Sequence, residues 1–152
     1  MAIRISISGG NTADALVKAL DAVPATTERA VRAVVRATAM RVEGTAKERI
    51  QRPPKTGRLY RTYNKRKLHR ASAPGESPAT DSGTLASRVF HEVQSGGFEA
   101  SVFSDVNFAG YLEFGAPRAK LAPRPYLAPA LREHADSFLR DLDLAVAGAL
   151  DL

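Results

Sequence analysis

A long helical period is the feature that most limits the fold of this chain. From Thr26 or Thr27 to about Gln51, apolar residues recur at steps of three and four, the spacing of one face of an amphipathic helix. Alanine is frequent there and favours helix, and Pro53 and Pro54 end the period. The sequence therefore predicts one long helix with a single buried face. That face consists of Val31, Val34, Val35, Thr38, Val42, Ala46 and Ile50.

Strand-like and helical patterns lie on both sides of this helix. Ile3, Ile5 and Ile7 alternate with polar residues, as in a half-buried strand, and a short helix is predicted at 13–23. Further on, two alternating runs flank a Ser-Gly-Gly turn at 95–97, which predicts an antiparallel hairpin. The runs cover 88–93, with Val89, His91 and Val93 on one face, and 98–104, with Ala100 and Val102 on one face.

The C-terminal third is predicted to be mainly helical. A short apolar helix or turn covers 107–114 and ends at Gly115, and a Pro-rich connection follows at 117–125. A last helix spans about 126–150. The predicted fold class is α+β, with the long helix and the C-terminal helix packed on a small antiparallel sheet in a single domain, 1–152. The face of the last helix consists of Leu127, Leu131, Ala135, Phe138, Leu142, Val146 and Ala149.

Positive charge is concentrated in one stretch. Residues 47–70 hold ten basic side chains against one acid, Glu48, a net charge of +9, whereas the whole chain carries +6 and the remainder therefore −3. A local field of this strength favours a polyanion such as DNA, and a solvated loop is the alternative. The candidates for DNA contact are Arg52, Lys55, Arg58, Arg61, Lys65, Arg66, Lys67 and Arg70.

The segment 52–82 has no clear amphipathic period. Pro, Gly, Ser, Thr and basic residues dominate it, and a connection of this length inside a small domain is typically functional or disordered. We expect a long, extended and mobile basic arm within the domain. Leu59, Tyr60 and Tyr63 are the residues that could form a short strand or hairpin edge in it.

Catalytic and metal-binding patterns are not found in the sequence. The absence of Cys excludes disulfides, thiolate metal sites and Cys nucleophiles, and the sequence has neither a nucleophile elbow nor a phosphate-binding Gly loop. His69, His91 and His134 fall in the arm, a strand and a helix, without metal-ligand spacing. We therefore expect no metal and no cofactor.

Glu113 is the only acid in a conspicuously apolar stretch. A catalytic carboxylate would need a partner, and a structural pair with Arg118 or Arg124 is the interpretation favoured here. The sequence thus predicts a protein that is not an enzyme. It also has no apolar run long enough for a membrane span and no signal-peptide pattern, so we expect a soluble protein made in a cytoplasm.

Two motifs follow one another near the C-terminus. The first contains Tyr-Leu-Glu-Phe-Gly at 111–115, the second is Arg-Pro-Tyr-Leu-Ala-Pro-Ala-Leu at 124–131, and a stretch with Pro-Gly and Gly-Thr-Leu precedes them at 71–87. In this order they resemble a tail-component family of the head–tail joining modules of siphophages and related prophages, distantly similar to the tail completion protein of phage lambda. Two positions depart from the family pattern. Gly110 stands where a larger residue is usual, and Tyr126 stands where Phe is common.

The resemblance implies a structural subunit of the virion neck, made in the host bacterial cytoplasm. It implies a homo-oligomeric ring between the connector or stopper and the tail terminator or tail tube, through which double-stranded DNA passes. Six copies are favoured because tail tubes of this class are hexameric, and twelve would suit the connector side. The particle is either that of a true phage or a domesticated phage-like particle such as a gene transfer agent, and the resemblance is the same for both.

The resemblance and the residue types together suggest a subunit interface. A ring needs one patch that meets a different patch on the next copy. The aromatics Tyr111, Phe114 and Tyr126 suit an interface, and the alternative is that they are core. The basic arm would face DNA or a neighbouring ring, and a free nucleic-acid-binding protein that uses the arm is the alternative function. The interface candidates are Tyr111, Glu113, Phe114, Arg124, Pro125 and Tyr126.

Overall fold

The structure is a computed structural model that describes residues 3–7, 25–52, 55–62 and 67–149. The predicted helix at 13–23 and two of the candidate cations, Lys65 and Arg66, lie outside the described residues. Within the described part of the chain, no helix is long and apolar enough to cross a membrane.

The long helix predicted from the sequence is confirmed. Helix α1 spans Ala25–Gln51, and its buried positions recur at the predicted steps. Val34 is half-buried, and Thr27 and Ala39 join the buried face instead. This face packs on the sheet and on the C-terminal helix, so the core lies along α1. The fully or almost fully buried positions of α1 are Thr27, Val31, Val35, Thr38, Ala39, Val42, Ala46 and Ile50.

Three strands form an antiparallel sheet: β1 is Ile3–Ile7, β4 is Val89–Val93 and β5 is Ala100–Ser104. Their order in the sheet is β1-β5-β4, and β4 and β5 form the predicted hairpin. Strand β4 alternates between inward and outward residues as predicted. In β5, the central strand, four of the five residues are buried, so the predicted alternation between a buried and an exposed face is not seen there.

A second, two-stranded sheet lies in the predicted arm. Strand β2 spans Leu59–Arg61 and β3 spans Leu68–Arg70, and they pair antiparallel. The sequence indicated a strand at Leu59 and Tyr60, and the structure confirms it. Residues 53–54 and 63–66 lie outside the described residues, so an arm that is extended and mobile over its whole length stays a prediction.

The remaining elements are helical. A short helix α2, Thr84–Ser87, precedes β4, and helix α3, Ala109–Phe114, confirms the predicted apolar helix. A 3-10 turn at Pro117–Ala119 follows, and the chain then enters helix α4, Leu127–Ala149.

Helices α1 and α4 run antiparallel and are joined by polar contacts along one side. The three contacts are Arg41 to Asp141 at 2.5 Å, Thr45 to His134 at 2.8 Å and Arg49 to Glu133 at 2.6 Å. His134 thus has a structural role as a hydrogen-bond partner of α1.

The face predicted for α4 is only partly covered. Leu127 is fully buried, and Leu131 and Phe138 are half-buried against the core. Ala135 is exposed, which corrects its predicted place on the buried face, because α1 and the sheet cover a narrower stripe than the sequence pattern suggests. The architecture is nevertheless α+β as predicted, with two long helices packed together beside small antiparallel sheets.

Candidate functional site

The carboxylate of Glu113 joins the two sequence motifs. Its Oε2 accepts hydrogen bonds from the backbone N–H groups of Tyr126 at 2.9 Å and Leu127 at 3.1 Å, and its Oε1 accepts one from Ala128 at 2.9 Å. The first N–H groups of a helix have no partner within the helix, and they carry partial positive charge. Glu113 therefore caps the beginning of α4 from a neighbouring helix.

This geometry corrects the pairing expected from the sequence. The partners of Glu113 are backbone amides and not the guanidinium of Arg118 or Arg124. Arg124 instead donates from Nε to the Ser72 carbonyl at 3.1 Å, and Arg118 is exposed. Three donors at a helix start satisfy a buried carboxylate that would otherwise be costly to desolvate. Glu113 is 3% exposed, which suits this structural role.

The second motif is fixed to the loop that precedes the β4–β5 hairpin. The Arg124 N–H donates to the Leu112 carbonyl at 2.6 Å, and the Pro125 carbonyl accepts from the Ser77 hydroxyl at 3.1 Å. Together with the contact between Arg124 and Ser72, these bonds connect three segments that are distant in sequence. Arg124 and Pro125 thus hold the polypeptide in place before α4.

Gly115 makes the tight exit from α3 possible. Its φ of 79° and ψ of 173° fall in a region that is almost exclusive to glycine. A β-carbon there would lie 2.8 Å from the Leu121 carbonyl oxygen, because Ala116 and Leu121 pair directly after the turn. The close return of the chain brings the second motif beside the first.

Tyr126 lies in the core of the protomer. It is fully buried, and burial raises the pKa of its hydroxyl to about 12. The sequence left open whether the aromatic residues belong to an interface or to the core. Within one protomer, Tyr126 belongs to the core. Glu113 is also buried, so these two residues can affect a subunit contact only by shaping the segment around them.

Phe108, Tyr111 and Phe114 form an exposed stripe along α3. They follow one another at three-residue steps, and their exposed fractions are 46%, 55% and 65%. The sequence pointed to Tyr111 and Phe114 but missed Phe108, although the three-residue spacing marks it. Adjacent exposed aromatics on a rigid helix are typical of a protein contact surface. We call these three residues the aromatic stripe.

The first part of the basic stretch is bound within the protomer. Lys47, Arg49 and Arg52 each pair with a glutamate of α1 or α4. Lys55 donates from Nζ to the carbonyls of Arg49 and Ser77, both at 2.9 Å, and burial lowers its pKa. Lys47, Arg49 and Lys55 are half-buried and Arg52 is exposed, and all four have partners in the same protomer. Cations with local partners contribute less to an outward field than the number of cations in the sequence suggests. The three glutamates are Glu43, Glu133 and Glu48, in that order.

The hairpin β2–β3 carries the exposed cations of the basic stretch. Arg58, Arg61, Lys67 and Arg70 are exposed, and Arg70 also donates to the Gly57 carbonyl at 3.1 Å. Contact of these side chains with DNA or with a neighbouring ring stays a prediction.

Glu76 joins the segment before β2 to the segment after β3. Its carboxylate accepts from the Thr56 hydroxyl at 2.5 Å, from the Thr56 N–H at 3.1 Å and from the Ala73 N–H at 2.8 Å. These three bonds lower the pKa of Glu76 to about 2, and the bond from the Thr56 hydroxyl has the largest effect. No sequence pattern indicated this role, because two of the three donors belong to the backbone.

We expect Glu76 to make the folded protein sensitive to acid. A carboxyl whose pKa is lower in the folded chain stabilises it above the unfolded value of 4.5, and this contribution is lost as pH falls towards 2. Urea unfolding at a series of pH values should show stability falling through this window, and falling less steeply in Glu76→Gln. Equal slopes in both proteins would contradict the assignment. Asp81→Asn, an exposed acid nearby, is the control.

His91 belongs to a second polar group between the sheet and α1. Its Nδ1 lies within hydrogen-bond distance of Glu43, which also accepts from Lys47. Burial raises the pKa of Glu43, but the bonds to Lys47 and His91 outweigh it, and the net shift is downward. These contacts fix the sheet to the helix. No cluster of three or more His, Cys, Asp or Glu suited to a metal ion occurs among residues 3–7, 25–52, 55–62 and 67–149.

Comparison with known proteins identifies the family. The family model described as "Bacteriophage HK97-gp10, putative tail-component" matches residues 14–115, about two thirds of the chain. The chain belongs to this phage tail-component family. The family resemblance found in the sequence is thereby confirmed, and the tail component is a structural virion protein of the head–tail region and not an enzyme.

Only the first of the two motifs lies within the matched residues. The match includes Glu113 and the rest of the first motif, whereas the second motif, 124–131, lies beyond its end. Since the carboxylate of Glu113 binds the backbone of the second motif, the two parts form one structural unit in this tail component. No curated protein and no solved structure shows significant similarity to the chain.

Proposed function

We propose that this tail component is a ring-forming subunit of the phage neck, which joins the head connector to the tail and surrounds the passing DNA. The aromatic stripe is the observation that supports the proposal most. Helix α3 carries these large apolar side chains and is tied to the start of α4 through Glu113, which holds the surface in place, and preorganised anchors favour stable protein contacts. Tyr111 and Phe114 therefore serve as contact residues to a neighbouring subunit or ring.

The exposed cations support a role near DNA. Arg58, Arg61, Lys67 and Arg70 carry positive charge on a hairpin at the surface of the protomer. Contacts of Arg and Lys with phosphates do not depend on base sequence, which suits a conduit for any DNA. We favour a ring of six copies over twelve, between a connector or stopper protein and a tail terminator or tail-tube protein.

Electron microscopy of purified particles tests this proposal directly. A tag on the tail component, detected by labelled antibody or resolved in the particle map, is expected at the head–tail junction as a closed ring. Particles that are complete without the chain, or that carry it elsewhere, would exclude a neck subunit. The copy number follows from the symmetry of the ring in the same map.

Phe114→Ala is expected to impair particle assembly without unfolding the subunit. The side chain is 65% exposed, so the free energy of unfolding should change by no more than about 0.5 kcal/mol. The fraction of tailed particles should fall at least about tenfold, as for loss of an aromatic interface anchor. Met40→Ala, an exposed apolar residue on α1, is the matched control. Normal assembly with Phe114→Ala, or unfolding of the variant, would remove Phe114 from the contact surface.

A further inference from the structure

Strand β4 leaves one edge of the three-stranded sheet without a partner strand in the described part of the chain. The sheet order is β1-β5-β4, so β5 occupies only one side of β4. The Gln94 N–H donates to the Glu99 carbonyl at 2.9 Å, which makes these two residues a hydrogen-bonded pair. Since such pairs alternate along an antiparallel ladder, the N–H and C=O groups of His91 and Val93 point towards the free edge. Val89 is fully buried, so the accessible part of the edge is the half that holds His91 and Val93.

A cleft of about 380 Å³ opens beside this part of the edge. Val93 and the turn at 95–97 line it on the side of the sheet, and Arg32, Ala33 and Arg36 line it on the side of helix α1. The cleft therefore gives an additional chain room to lie next to β4, with α1 as its wall.

The side of α1 that borders the cleft forms one continuous strip. Its residues follow one another at steps of three and four, and Glu43 of the strip contacts His91, which places the strip along β4. Four of the residues are cations and one is an acid. We call this surface the basic strip. It consists of Arg29, Arg32, Ala33, Arg36, Met40, Glu43 and Lys47.

Two cations of the basic strip have no acidic partner among the described residues. Arg29 and Arg36 are exposed, and the Nε of Arg29 donates to the Ala25 carbonyl at 3.2 Å. The acids on or beside the strip are held by its other two cations, so a net positive charge remains. The ion pairs are Arg32 with Glu28 and Lys47 with Glu43.

The acids of the β4–β5 hairpin do not lie at the cleft. Side chains alternate along a strand, so Glu92 lies on the face of the sheet opposite to α1, where the half-buried Val93 faces the core. Glu99 lies across β4, on the side of β5. Met40, one turn from Arg36, adds an apolar side chain that is 55% exposed. The cleft thus combines free backbone groups, unpaired arginines and apolar surface.

A peptide strand matches this combination better than DNA does. The phosphates of DNA offer only acceptor oxygens, which cannot pair with the carbonyl groups of a sheet edge. An extended peptide offers both N–H and C=O groups, so it satisfies both kinds of group on the edge. Acidic side chains on such a peptide would complement Arg29 and Arg36.

We propose that the free edge of β4 takes up an extended, acidic segment of another protein as an additional strand. The backbone of this segment pairs with His91 and Val93, and its acidic side chains, at alternate positions, face Arg29 and Arg36. This surface belongs to β4 and α1, whereas the aromatic stripe lies on α3. The inference therefore goes beyond the proposed ring contacts and does not depend on them.

Selection from a library of random short peptides on the immobilised full-length chain provides the test. We expect the enriched peptides to carry acidic residues at alternate positions and to lack Pro between them, because each acid then faces α1 and each N–H can pair. The most enriched sequence is synthesised, and its affinity for the purified full-length chain is measured by fluorescence anisotropy.

Charge reversal tests the role of the basic strip. Arg29→Glu combined with Arg36→Glu should weaken binding of the enriched peptide at least about tenfold, since like charges then face each other. Arg132→Glu combined with Arg140→Glu changes the net charge equally at two exposed arginines of α4. This control should leave the affinity within about twofold of wild type.

A proline on the edge tests the role of the backbone. Val93→Pro removes an N–H that points away from β5, so the sheet should remain folded by circular dichroism while peptide affinity falls at least about fivefold. Glu92→Pro removes an N–H that points towards β5 and should destabilise the fold instead. Hydrogen exchange on the wild-type chain gives a second measurement, in which the peptide should slow exchange at the amides of His91 and Val93.

The inference would be overturned by a library without acidic enrichment, by an unchanged affinity in the arginine variant, or by exchange protection confined to other elements. Self-association of the chain that Val93→Pro abolishes would assign the edge to a second copy. DNA binding lost in the arginine variant, with no peptide enriched, would assign the strip to phosphates. Both results would contradict an acidic partner strand. Electron microscopy of particles decides the neck proposal independently, because a ring at the neck is compatible with either outcome at this edge.

Discussion

Glu113→Ala is expected to lower the free energy of unfolding by about 3–5 kcal/mol, because three backbone N–H groups lose their acceptor in a buried position. Part of each lost bond is recovered where water reaches the cavity, which keeps the sum below three full penalties. Urea unfolding followed by circular dichroism measures the change. Glu113→Gln retains one oxygen acceptor and should lose about half as much.

A surface glutamate provides the comparison for Glu113. Glu48 pairs with Arg52 along α1, both side chains are largely exposed, and Glu48→Ala should therefore cost less than about 1 kcal/mol. A loss at Glu113 no larger than at Glu48 would show that the cap contributes little. Destabilisation of Glu113→Ala would further be expected to reduce assembly through the altered start of α4, with Tyr126 and Leu127 displaced from the core.

Gly115→Ala is expected to destabilise the protein by about 3 kcal/mol or more. The φ of 79° and ψ of 173° strain any L residue, which costs about 1–3 kcal/mol, and the new methyl group also meets backbone. Its β-carbon would lie 2.8 Å from the carbonyl oxygen of Leu121 and 3.0 Å from Pro123 Cδ. Neither neighbour can rotate away, so the turn itself has to open.

The opposite effect is expected at a glycine inside α1. A β-carbon added at Gly44 would meet no heavy atom of the described residues within 4 Å outside its own helix backbone, and Gly44→Ala should raise stability by about 0.5–1 kcal/mol through helix propensity. Thermal unfolding of both variants beside wild type compares the two glycines under the same conditions. If Gly115→Ala were as stable as wild type, the tight turn would not be needed to bring the two motifs together.

Periodic local patterns explain why the sequence predicted the helices and the main hairpin. The face of α1 follows three- and four-residue steps over its whole length, and β4 alternates cleanly beside a Gly-containing turn. The pairing of β1 with β5 could not be predicted in this way, because Ile3–Ile7 and Ala100–Ser104 are about a hundred residues apart, and no local pattern encodes such a contact.

The sequence predicted several residues of the candidate site but not the contacts that these residues make. Glu113 was singled out as an unusual acid, yet its partners are backbone N–H groups, which nearly every residue has and which leave no trace in a sequence. The guanidinium of Arg118 or Arg124 was the partner of Glu113 that the sequence suggested, and this prediction was wrong. Similarly, the number of cations in the basic stretch did not show that Lys55 points at two carbonyl groups of its own chain.

The cap on α4 also determines how the protein responds to load. All three hydrogen bonds end on one carboxylate, so a pull that separates α3 from α4 has to break all three. We therefore expect force on the aromatic stripe to be transmitted to the start of α4. From there it would reach α1 through the contacts of Arg41, Thr45 and Arg49.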